Sequence, residues 1–239
     1  MKSALLRLMQ ENSSRYRLWL ENKQFADSIP AGALVLDAGA GEAPYKNLLT
    51  HVVYESADFE KVDKIYAKST YVCDLKDIPV GDLRYDYIFF NQVMEHLPEP
   101  AAVLKELFRV LKPGGKLIYS APFIFEEHEV PYDYFRYTQY GVRYLFTQAG
   151  FICERLDWLE GYFGTVGYQM NCMSRQLPRR AQDIRPGALG WLLVLPMVAL
   201  KIELGLCSIL FHSLEKKTKY TARGNPKNYV AIMSRPAQP

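Results

Sequence analysis

Short apolar runs recur through the first half of this chain, and most of them end in a polar residue or a glycine. The runs that predict strands cover residues 34–41 with two closing glycines, 52–58, 70–73, 85–90 and 116–120. Apolar runs of this length are typical of buried parallel strands. Ligands of open α/β sheets bind beyond the carboxyl ends of the strands, so polar residues at these ends predict a binding site along one edge of the sheet.

Apolar positions at helical spacing predict helices around these strands. Residues 14–26 and 98–111 have this spacing, and residues 112–115 predict a turn after the second of these helices. A third helix is predicted over 139–149, where Gly150 ends it. A sixth strand is predicted over 151–156 and a last one over 228–233. The alternation of the two kinds of element predicts an α/β fold with helices on both faces of the sheet.

A glycine-rich loop follows the first predicted strand. Gly39 and Gly41 predict a turn that opens a helix, and glycine leaves room for a ligand to approach the backbone. The N-terminus of that helix would have free N–H groups that suit an anionic group. Asp58 lies 21 positions after Asp37, at the end of the second strand, where nucleotide-binding sheets place an acid for ribose hydroxyls. Pro44 occupies the sixth loop position, where nicotinamide and flavin sites have a third glycine, so another nucleotide-like ligand is favoured.

Several separated motifs resemble those of the class I S-adenosylmethionine-dependent methyltransferases, and within them the type 11-like subgroup. They are residues 35–41, 73–75, 91–97 and 104–115, in that order. Ala43 departs from the pattern, since many members have a third glycine there. The resemblance covers residues 31–159 and implies a Rossmann-like three-layer sandwich with a seven-stranded, mostly parallel sheet and an antiparallel last strand.

The pattern of the sequence and the resemblance together predict four parts of the chain. Residues 1–30 would form a helical segment, which either lies over the active-site mouth as a lid or only covers the edge of the sheet. Residues 31–160 would form the cofactor-binding core. A helical insertion over 161–227 would precede the final core strand and tail at 228–239.

The resemblance also implies that S-adenosyl-L-methionine is the cofactor. Gly39 and Gly41 would let the backbone approach its methionine part, Asp58 would bind the ribose hydroxyls, and Asp74 the adenine amino group. The full predicted set is Asp37, Ala38, Gly39, Gly41, Asp58, Phe59, Cys73, Asp74, Leu75, Asn91 and Gln92, the last two facing the transferable methyl group. Alternatively, Asp37 only orients the loop and Asp74 caps a helix.

The segment after the fifth strand, residues 122–138, combines one histidine, several acids, one arginine and a run of aromatics. It leaves the carboxyl edge of the sheet, where the methyl acceptor would lie. Its last seven residues are similar to a run in methyltransferases associated with bacterial surface-glycan and secondary-metabolite gene sets.

This segment supplies the candidates for catalysis and acceptor binding. His128 is the first candidate for a general base and His96 the second, although His96 could instead stabilise the turn after the fourth strand. The predicted substrate-binding residues are Glu127, Tyr132, Tyr134, Arg136 and Tyr137. Arg136 could bind an anionic substrate group or pair with Asp133.

The formal charge of +3 is unevenly distributed. Residues 175–227 have ten Lys and Arg against three Asp and Glu, a net +7, which leaves −4 for the rest of the chain. This division argues against general nucleic-acid binding and favours an anionic partner on one side. The four cysteines form no C-x-x-C pair, so neither a metal site nor a disulfide framework is predicted, which fits a reducing cytoplasm. Residues 1–10 lack a cleavage pattern, so no signal peptide is expected.

The basic part contains an apolar stretch. Residues 187–200 have no charge, and after Lys201 and Glu203 the apolar character resumes to residue 211. Fourteen residues are short for a membrane span, and Pro196 and the two charges interrupt the longer run. Three hypotheses follow: contact of residues 187–211 with an anionic inner-membrane surface, packing against the core or a partner in a homodimer, and a true span.

These observations predict an enzyme that transfers a methyl group from S-adenosylmethionine to an oxygen or nitrogen of a small-molecule or glycan-type acceptor, which could be lipid-linked. One alternative is a regulatory subunit that binds the cofactor without catalysis. The other is a nicotinamide-dependent oxidoreductase, which Pro44 disfavours.

Overall fold

The computed structural model describes residues 14–237, which form two compact units. The first unit contains a β-sheet and consists of Arg17–Leu159 with the strand that follows Lys227. The second unit is helical and consists of Glu160–Lys227 with residues 14–16.

The sheet of the first unit has seven strands. They are β1 (Leu34–Ala38), β2 (Val53–Asp58), β3 (Tyr71–Val72), β4 (Tyr85–Asn91), β5 (Leu111–Pro122), β6 (Ile152–Trp158) and β7 (Asn228–Ser234), in the spatial order β3-β2-β1-β4-β5-β7-β6. β1 to β5 pair in parallel, whereas β7 is antiparallel to both β5 and β6. The predicted seven-stranded, mostly parallel sheet with an antiparallel last strand is confirmed. The strand order reverses between β1 and β4, so a ligand crevice is expected beyond their carboxyl ends.

Helices cover both faces of this sheet. They are α1 (Ser14–Asp27), α2 (Pro100–Val110) and α3 (Gln139–Gln148), with short 3₁₀ helices at Lys46–Leu48 and Met94–His96. Alternate strand residues face the two layers: Val35 and Phe89 pack with Phe25 of α1, while Leu36 and Phe90 belong to the cluster that contains the buried face of α2. This alternation produces the three-layer sandwich.

The predicted lid lies partly outside the described residues, which begin at Ser14. In the described part of α1, Phe25 packs edge-on against Tyr87 and Phe89, with ring centroids 5.9 and 5.2 Å away. Phe25 therefore covers the sheet. A lid over the active-site mouth stays a prediction.

The predicted helix after Gly41 is wrong. Turns and the 3₁₀ helix Lys46–Leu48 follow β1 instead. Gly41 and Ala43 have φ angles of 53° and 52°, outside the right-handed α region, so residues 41–43 do not form a right-handed helix. The helix N-terminus expected for an anionic group is therefore missing from this described loop.

The predicted turn at residues 112–115 lies inside a strand. Tyr85 pairs with Leu111 and Tyr87 with Lys116, so four residues of β5 bulge out opposite one residue of β4. Gly114, with a φ of 79°, donates its N–H to the Arg235 carbonyl at 3.0 Å. β5 is therefore longer than the predicted strand over 116–120, whereas β3 is shorter than predicted.

The second unit contains α4 (Tyr162–Gln176), α5 (Ala181–Ile184) and α6 (Ala188–Lys217). The residues that interrupt the apolar run do not interrupt α6, since its 30 residues form one helix that includes Pro196. Lys201 Nζ donates to the Arg175 and Leu177 carbonyls, each at 3.2 Å, and Glu203 is exposed, so neither charge has to break the helix. By length and composition α6 could cross a membrane: its most apolar window has a mean hydropathy of 2.0, and 6% of that window is buried.

Candidate active site

A cavity of about 220 Å³ opens beyond the carboxyl ends of β1, β2, β3 and β4. Six of the predicted cofactor residues line it: Gly39, Asp58, Phe59, Asp74, Leu75 and Gln92. The other five, Asp37, Ala38, Gly41, Cys73 and Asn91, are not part of its lining. The structure therefore brings residues from four strand ends to one cavity, although they span more than fifty positions of the sequence.

Asp58 is buried and its carboxylate is fixed by the backbone. Oδ2 accepts the Gly41 N–H at 2.8 Å, and Oδ1 accepts the Glu60 N–H at 3.0 Å. Each oxygen keeps a second lone pair that could accept from a ligand hydroxyl. The glycine loop therefore positions Asp58 as well as lining the cavity.

Asp37 lies behind the cavity wall at the end of β1. Its Oδ2 accepts the Tyr54 hydroxyl at 2.8 Å. Burial raises the pKa of Asp37 to about 6; the hydrogen bond from Tyr54 opposes this shift and the charge of Asp58 adds to it. This hydrogen bond joins β1 to β2, and the role of Asp37 in orienting the loop stays a prediction.

The backbone around the cavity is tightly constrained at two positions. Gly39 has a φ of 76°, and a Cβ atom there would lie 2.4 Å from a side-chain methyl group of Val93. Gln92 has a φ of 56°, which is uncommon for a residue with a side chain, and its Nε2 donates to Ser120 Oγ at 3.2 Å. Strained residues of this kind concentrate at functional sites.

Asn91 and Cys73 stand behind the cavity lining. Asn91 exchanges hydrogen bonds with Asn22 of α1 and accepts from Ser120 Oγ at 2.8 Å, so its amide is engaged within the protein. Burial raises the pKa of Cys73 to about 11, so its thiol is protonated at neutral pH. Asp74 is mostly exposed at the cavity rim, where Oδ1 accepts the Lys76 N–H at 3.0 Å.

The segment 128–137 is bound to the turn Met94–His96. The Glu95 carbonyl accepts the N–H groups of Tyr134 and Phe135 at 2.9 and 3.2 Å, and the Tyr137 hydroxyl donates to the Met94 carbonyl at 3.3 Å. Tyr132 and Tyr134 line the cavity, and Tyr132 packs edge-on against Phe59. The predicted acceptor segment therefore forms one wall of the cavity that holds the predicted cofactor residues.

His96 lines this wall, whereas His128 lies beside it with a ring-centroid separation of 4.7 Å. His96 Nδ1 lies 2.9 Å from the Tyr132 carbonyl; because a carbonyl only accepts, Nδ1 carries the proton and Nε2 keeps a lone pair. Burial lowers the pKa of His96, and the Tyr132 carbonyl and the Glu129 carboxylate offset this shift in part. His128 is instead directed towards Asp133, with Nδ1 3.3 Å from Oδ2.

Two of the predicted substrate-binding residues are engaged within the protein. Arg136 forms a two-pronged ion pair with Asp133 at 2.7 and 2.8 Å, which is one of its two predicted alternatives, and holds the pKa of Asp133 well below its usual range. Tyr137 packs against the core. Neither residue lines the cavity, and the exposed Glu127 does not line it either.

Glu95 has an unusual environment that the sequence did not indicate. Its carboxyl group is fully buried, and neither oxygen has a hydrogen-bond partner. Burial raises the pKa of Glu95 to about 8, so the group is mostly neutral at pH 7. Glu95, His96 and His128 each offer one potential metal ligand within 4.8 Å of the others, although the sequence predicted no metal site.

Sequence reasoning missed several other residues of the cavity wall. Lys61, Lys64, Lys76, Val93, Glu99 and Glu129 all line it. Lys64 Nζ pairs with Glu129 Oε1 at 2.7 Å, across 65 positions of the chain. No local pattern signals such a pair, because its two members come together only when the sheet and the segment 128–137 have packed.

Comparisons with known proteins agree with the fold. A family model described as a methyltransferase domain matches residues 9–156. The chain is 27% identical over 165 residues to a demethylmenaquinone methyltransferase of Geobacillus sp. (strain WCH70), covering 61% of this chain and 69% of that protein. It is 34% identical over 89 residues to a ubiquinone biosynthesis O-methyltransferase of Acinetobacter baylyi, covering 37% of this chain and 34% of that protein.

A solved structure supports the same fold. Phosphoethanolamine N-methyltransferase 2 of Haemonchus contortus, in complex with S-adenosyl-L-methionine, matches with a TM-score of 0.53 at 16% identity. The match covers 91% of this chain and 53% of that chain. Since the family model covers more than half of its length, the chain belongs to the class I S-adenosylmethionine-dependent methyltransferases. Its cofactor is S-adenosylmethionine.

Proposed function

We propose that the cavity binds S-adenosylmethionine and that its methyl group passes to an oxygen or nitrogen of a small-molecule acceptor. The observation that carries this proposal is the convergence of Gly39, Asp58, Leu75 and Gln92 on one cavity with the segment 128–137 as its opposite wall. Holding donor and acceptor in line lowers much of the barrier to methyl transfer, so a shaped cavity supplies a large part of the catalysis.

The cofactor would lie along the strand ends. Asp58 would accept the ribose hydroxyls, because its carboxylate is already oriented by the Gly41 and Glu60 N–H groups. Leu75 and Phe59 would contact the adenine ring, and Asp74 at the rim its amino group. The chain around Gly39 and Gln92 would face the methionine part.

The acceptor would lie against Tyr132, Tyr134 and His96. The tyrosine rings suit a flat or apolar acceptor, and the lone pair on His96 Nε2 suits removal of a proton from a hydroxyl or amine. The lowered pKa of His96 favours the neutral, basic imidazole at pH 7. We propose His96 as the general base, with His128 beside it as the other predicted candidate.

The acceptor class is best supported as lipid-soluble or lipid-linked. The Geobacillus relative is named for demethylmenaquinone and the Acinetobacter relative for ubiquinone biosynthesis, and quinones of this kind carry apolar tails. A glycan-type acceptor, suggested by the resemblance of residues 132–138, is the second candidate.

The two alternatives from the sequence are less well supported. A regulatory subunit without catalysis would not require a histidine with an oriented lone pair in the cavity wall. A nicotinamide-dependent oxidoreductase would need a site for a pyrophosphate, and the loop after β1 lacks the helix N-terminus that usually provides it.

Titration calorimetry with S-adenosylhomocysteine tests the proposed cofactor site. We expect binding by the wild type and about 10- to 100-fold weaker binding by Asp58→Asn, since an amide replaces a charged acceptor of two hydrogen bonds. Asp86→Asn is the matched control, because Asp86 also accepts a backbone N–H, from Leu34 at 2.9 Å, but does not line the cavity. Equal affinities of wild type and Asp58→Asn would contradict the assignment, and tight binding of NAD in place of S-adenosylhomocysteine would favour the oxidoreductase.

A further inference from the structure

The C-terminal half of α6 packs along α4. Ser208 Oγ donates to the Gly167 carbonyl at 2.7 Å, and the buried Glu215 accepts the N–H groups of Gly161 and Gly164 at 2.8 and 3.0 Å. A Cβ atom at Gly167 would lie 2.6 Å from the His212 ring, so the two helices lie in close contact there. One face of this half of α6 is therefore covered by α4, although Ile202, Leu206 and Leu210 remain exposed.

The N-terminal half of α6 has no such cover. Residues 188–200 contain no charged side chain, and Gly190 is the one buried residue among them. Trp191, Leu192 and Leu195 are 74%, 71% and 76% exposed. A contiguous exposed apolar surface of this kind marks an interaction site in a soluble or membrane-associated protein.

A basic groove adjoins this apolar surface. Arg179, Arg180 and Arg185 line it together with Trp191 and Val194 of α6, and its volume is about 540 Å³. None of the three arginines forms an ion pair with another residue of 14–237. Three unpaired guanidinium groups beside exposed tryptophan and leucine side chains match an anionic headgroup joined to an apolar chain.

We propose that residues 188–200 lie in the interface of an anionic lipid bilayer and that the arginine groove binds the phosphate groups of its lipids. The segment lies flat, because both of its ends are polar: Arg185 precedes it, and Lys201 and the exposed Glu203 follow it. Lys201 is bound to the carbonyl ends of α4, including Ser174 and Arg175, which keeps this level of the helix out of the hydrocarbon. The 13 residues also measure about 20 Å along a helix, less than the roughly 30 Å of a bilayer core, so a span is disfavoured.

Flotation with lipid vesicles tests this inference. The wild type is expected to float with mixed phosphatidylcholine and phosphatidylglycerol vesicles at low salt, and more weakly with phosphatidylcholine alone. Replacing all three arginines, as Arg179→Gln, Arg180→Gln and Arg185→Gln, is expected to weaken binding to the anionic vesicles by about 100-fold, since each surface cation contributes about 5-fold. The matched control replaces exposed basic residues elsewhere, as Lys68→Gln, Lys105→Gln and Arg143→Gln, and should bind like the wild type.

A second variant tests the apolar surface. Leu192→Glu with Leu195→Glu is expected to abolish binding to both kinds of vesicle, whereas Ile152→Glu, a similar change at an exposed position of β6, is expected to leave it unchanged. Quenching of Trp191 fluorescence by brominated lipid should occur in the wild type and be reduced in Trp191→Phe. Failure of the wild type to float at low salt, or unchanged binding by the leucine variant, would overturn the inference.

Light scattering in solution tests whether a second copy of the chain, rather than lipid, covers residues 188–200. If the wild type is a dimer that does not bind vesicles, and the leucine variant is a monomer, a second copy of the chain covers residues 188–200 and the inference is wrong. S-adenosylhomocysteine binding, measured on the same samples, separates this outcome from the proposed function and shows that each variant is folded.

Discussion

Glu95 and His96 are neighbours in the sequence, but their polar atoms have different surroundings. The carboxyl group of Glu95 has no hydrogen-bond partner, while the imidazole of His96 is held by the Tyr132 carbonyl. Burial shifts the pKa of both towards the neutral form. Both groups are therefore mostly neutral at pH 7, whereas the cavity lining includes the ion pair of Lys64 with Glu129.

The Glu95→Gln variant is expected to be less sensitive to pH in its stability than the wild type. The pKa of Glu95 rises from 4.5 to about 8 on folding, so the unfolded chain releases this proton first as pH increases. The wild type therefore loses stability between pH 4.5 and 8, by up to about 5 kcal/mol from this group, and the loss is absent below pH 4.5. A neutral glutamine cannot contribute this loss.

Urea denaturation of both proteins at pH 5 and pH 8 measures the effect. The stability of Glu95→Gln relative to the wild type should increase from pH 5 to pH 8, and subtracting the two curves removes the contributions of other groups, such as Asp37. Parallel pH curves would mean that Glu95 is ionised in the folded protein.

His96→Ala is expected to lower turnover by about 100-fold or more, because it removes the lone pair that would accept the acceptor's proton. His128→Ala is expected to lower turnover as well, through the lost packing against His96, and to leave cofactor affinity intact. Steady-state production of S-adenosylhomocysteine from the best acceptor in a panel of quinols, phenols and amines measures both effects.

The pH dependence of kcat/KM distinguishes the two histidines. The acidic limb of the profile should disappear in the variant that lacks the base and persist in the other. If both variants keep wild-type turnover, neither histidine is the base and positioning alone accounts for catalysis.

At the scale of elements, the sequence predicted the strands better than the connections. Each buried strand is a short apolar run bounded by polar residues, and this pattern is local, so β1, β2, β4, β6 and β7 lie where predicted. The bulge in β5 was predicted as a turn because glycine and proline have the same local conformations in both settings. The helix predicted after Gly41 is missing because Ala43 adopts a positive φ. An alanine gives no indication of this conformation in the sequence.

In α6, the local sequence pattern does not indicate the full length of the helix. Pro196, Lys201 and Glu203 interrupt the apolar run but not the helix. The carbonyl groups at the end of α4 accept from Lys201, and Glu203 is exposed to solvent. Both compensations depend on tertiary position. The cavity wall also depends on tertiary position. The sequence indicates the strand ends that line the cavity, but it does not indicate the ion pair of Lys64 with Glu129.

At the scale of the whole molecule, the helical insertion leaves and rejoins the sheet at adjacent points. Trp158 pairs with Tyr229, and the Leu159 N–H donates to the Asn228 carbonyl at 2.9 Å. β6 and β7 therefore meet like the arms of a hairpin, and a short turn could join them.

A variant in which a short Asn-Gly-containing turn replaces residues 160–227 is expected to fold and to bind S-adenosylhomocysteine with an affinity within a few-fold of the wild type. The reason is that the cavity and all seven strands belong to the other unit. Calorimetry and circular dichroism measure this outcome, and a matched variant with the same turn inserted after Leu159, but with the insertion retained, controls for the new turn. Loss of binding in the shortened chain alone would mean that the cofactor site depends on the insertion.

The strand order also has a consequence for synthesis of the protein on the ribosome. β6 is joined to the sheet only through β7, and β7 is translated after the whole insertion. The nascent chain must therefore carry an unpaired β6 and the exposed leucines of α6 for several seconds at ordinary elongation rates. Chaperones or lipid would be able to bind these exposed segments during that interval.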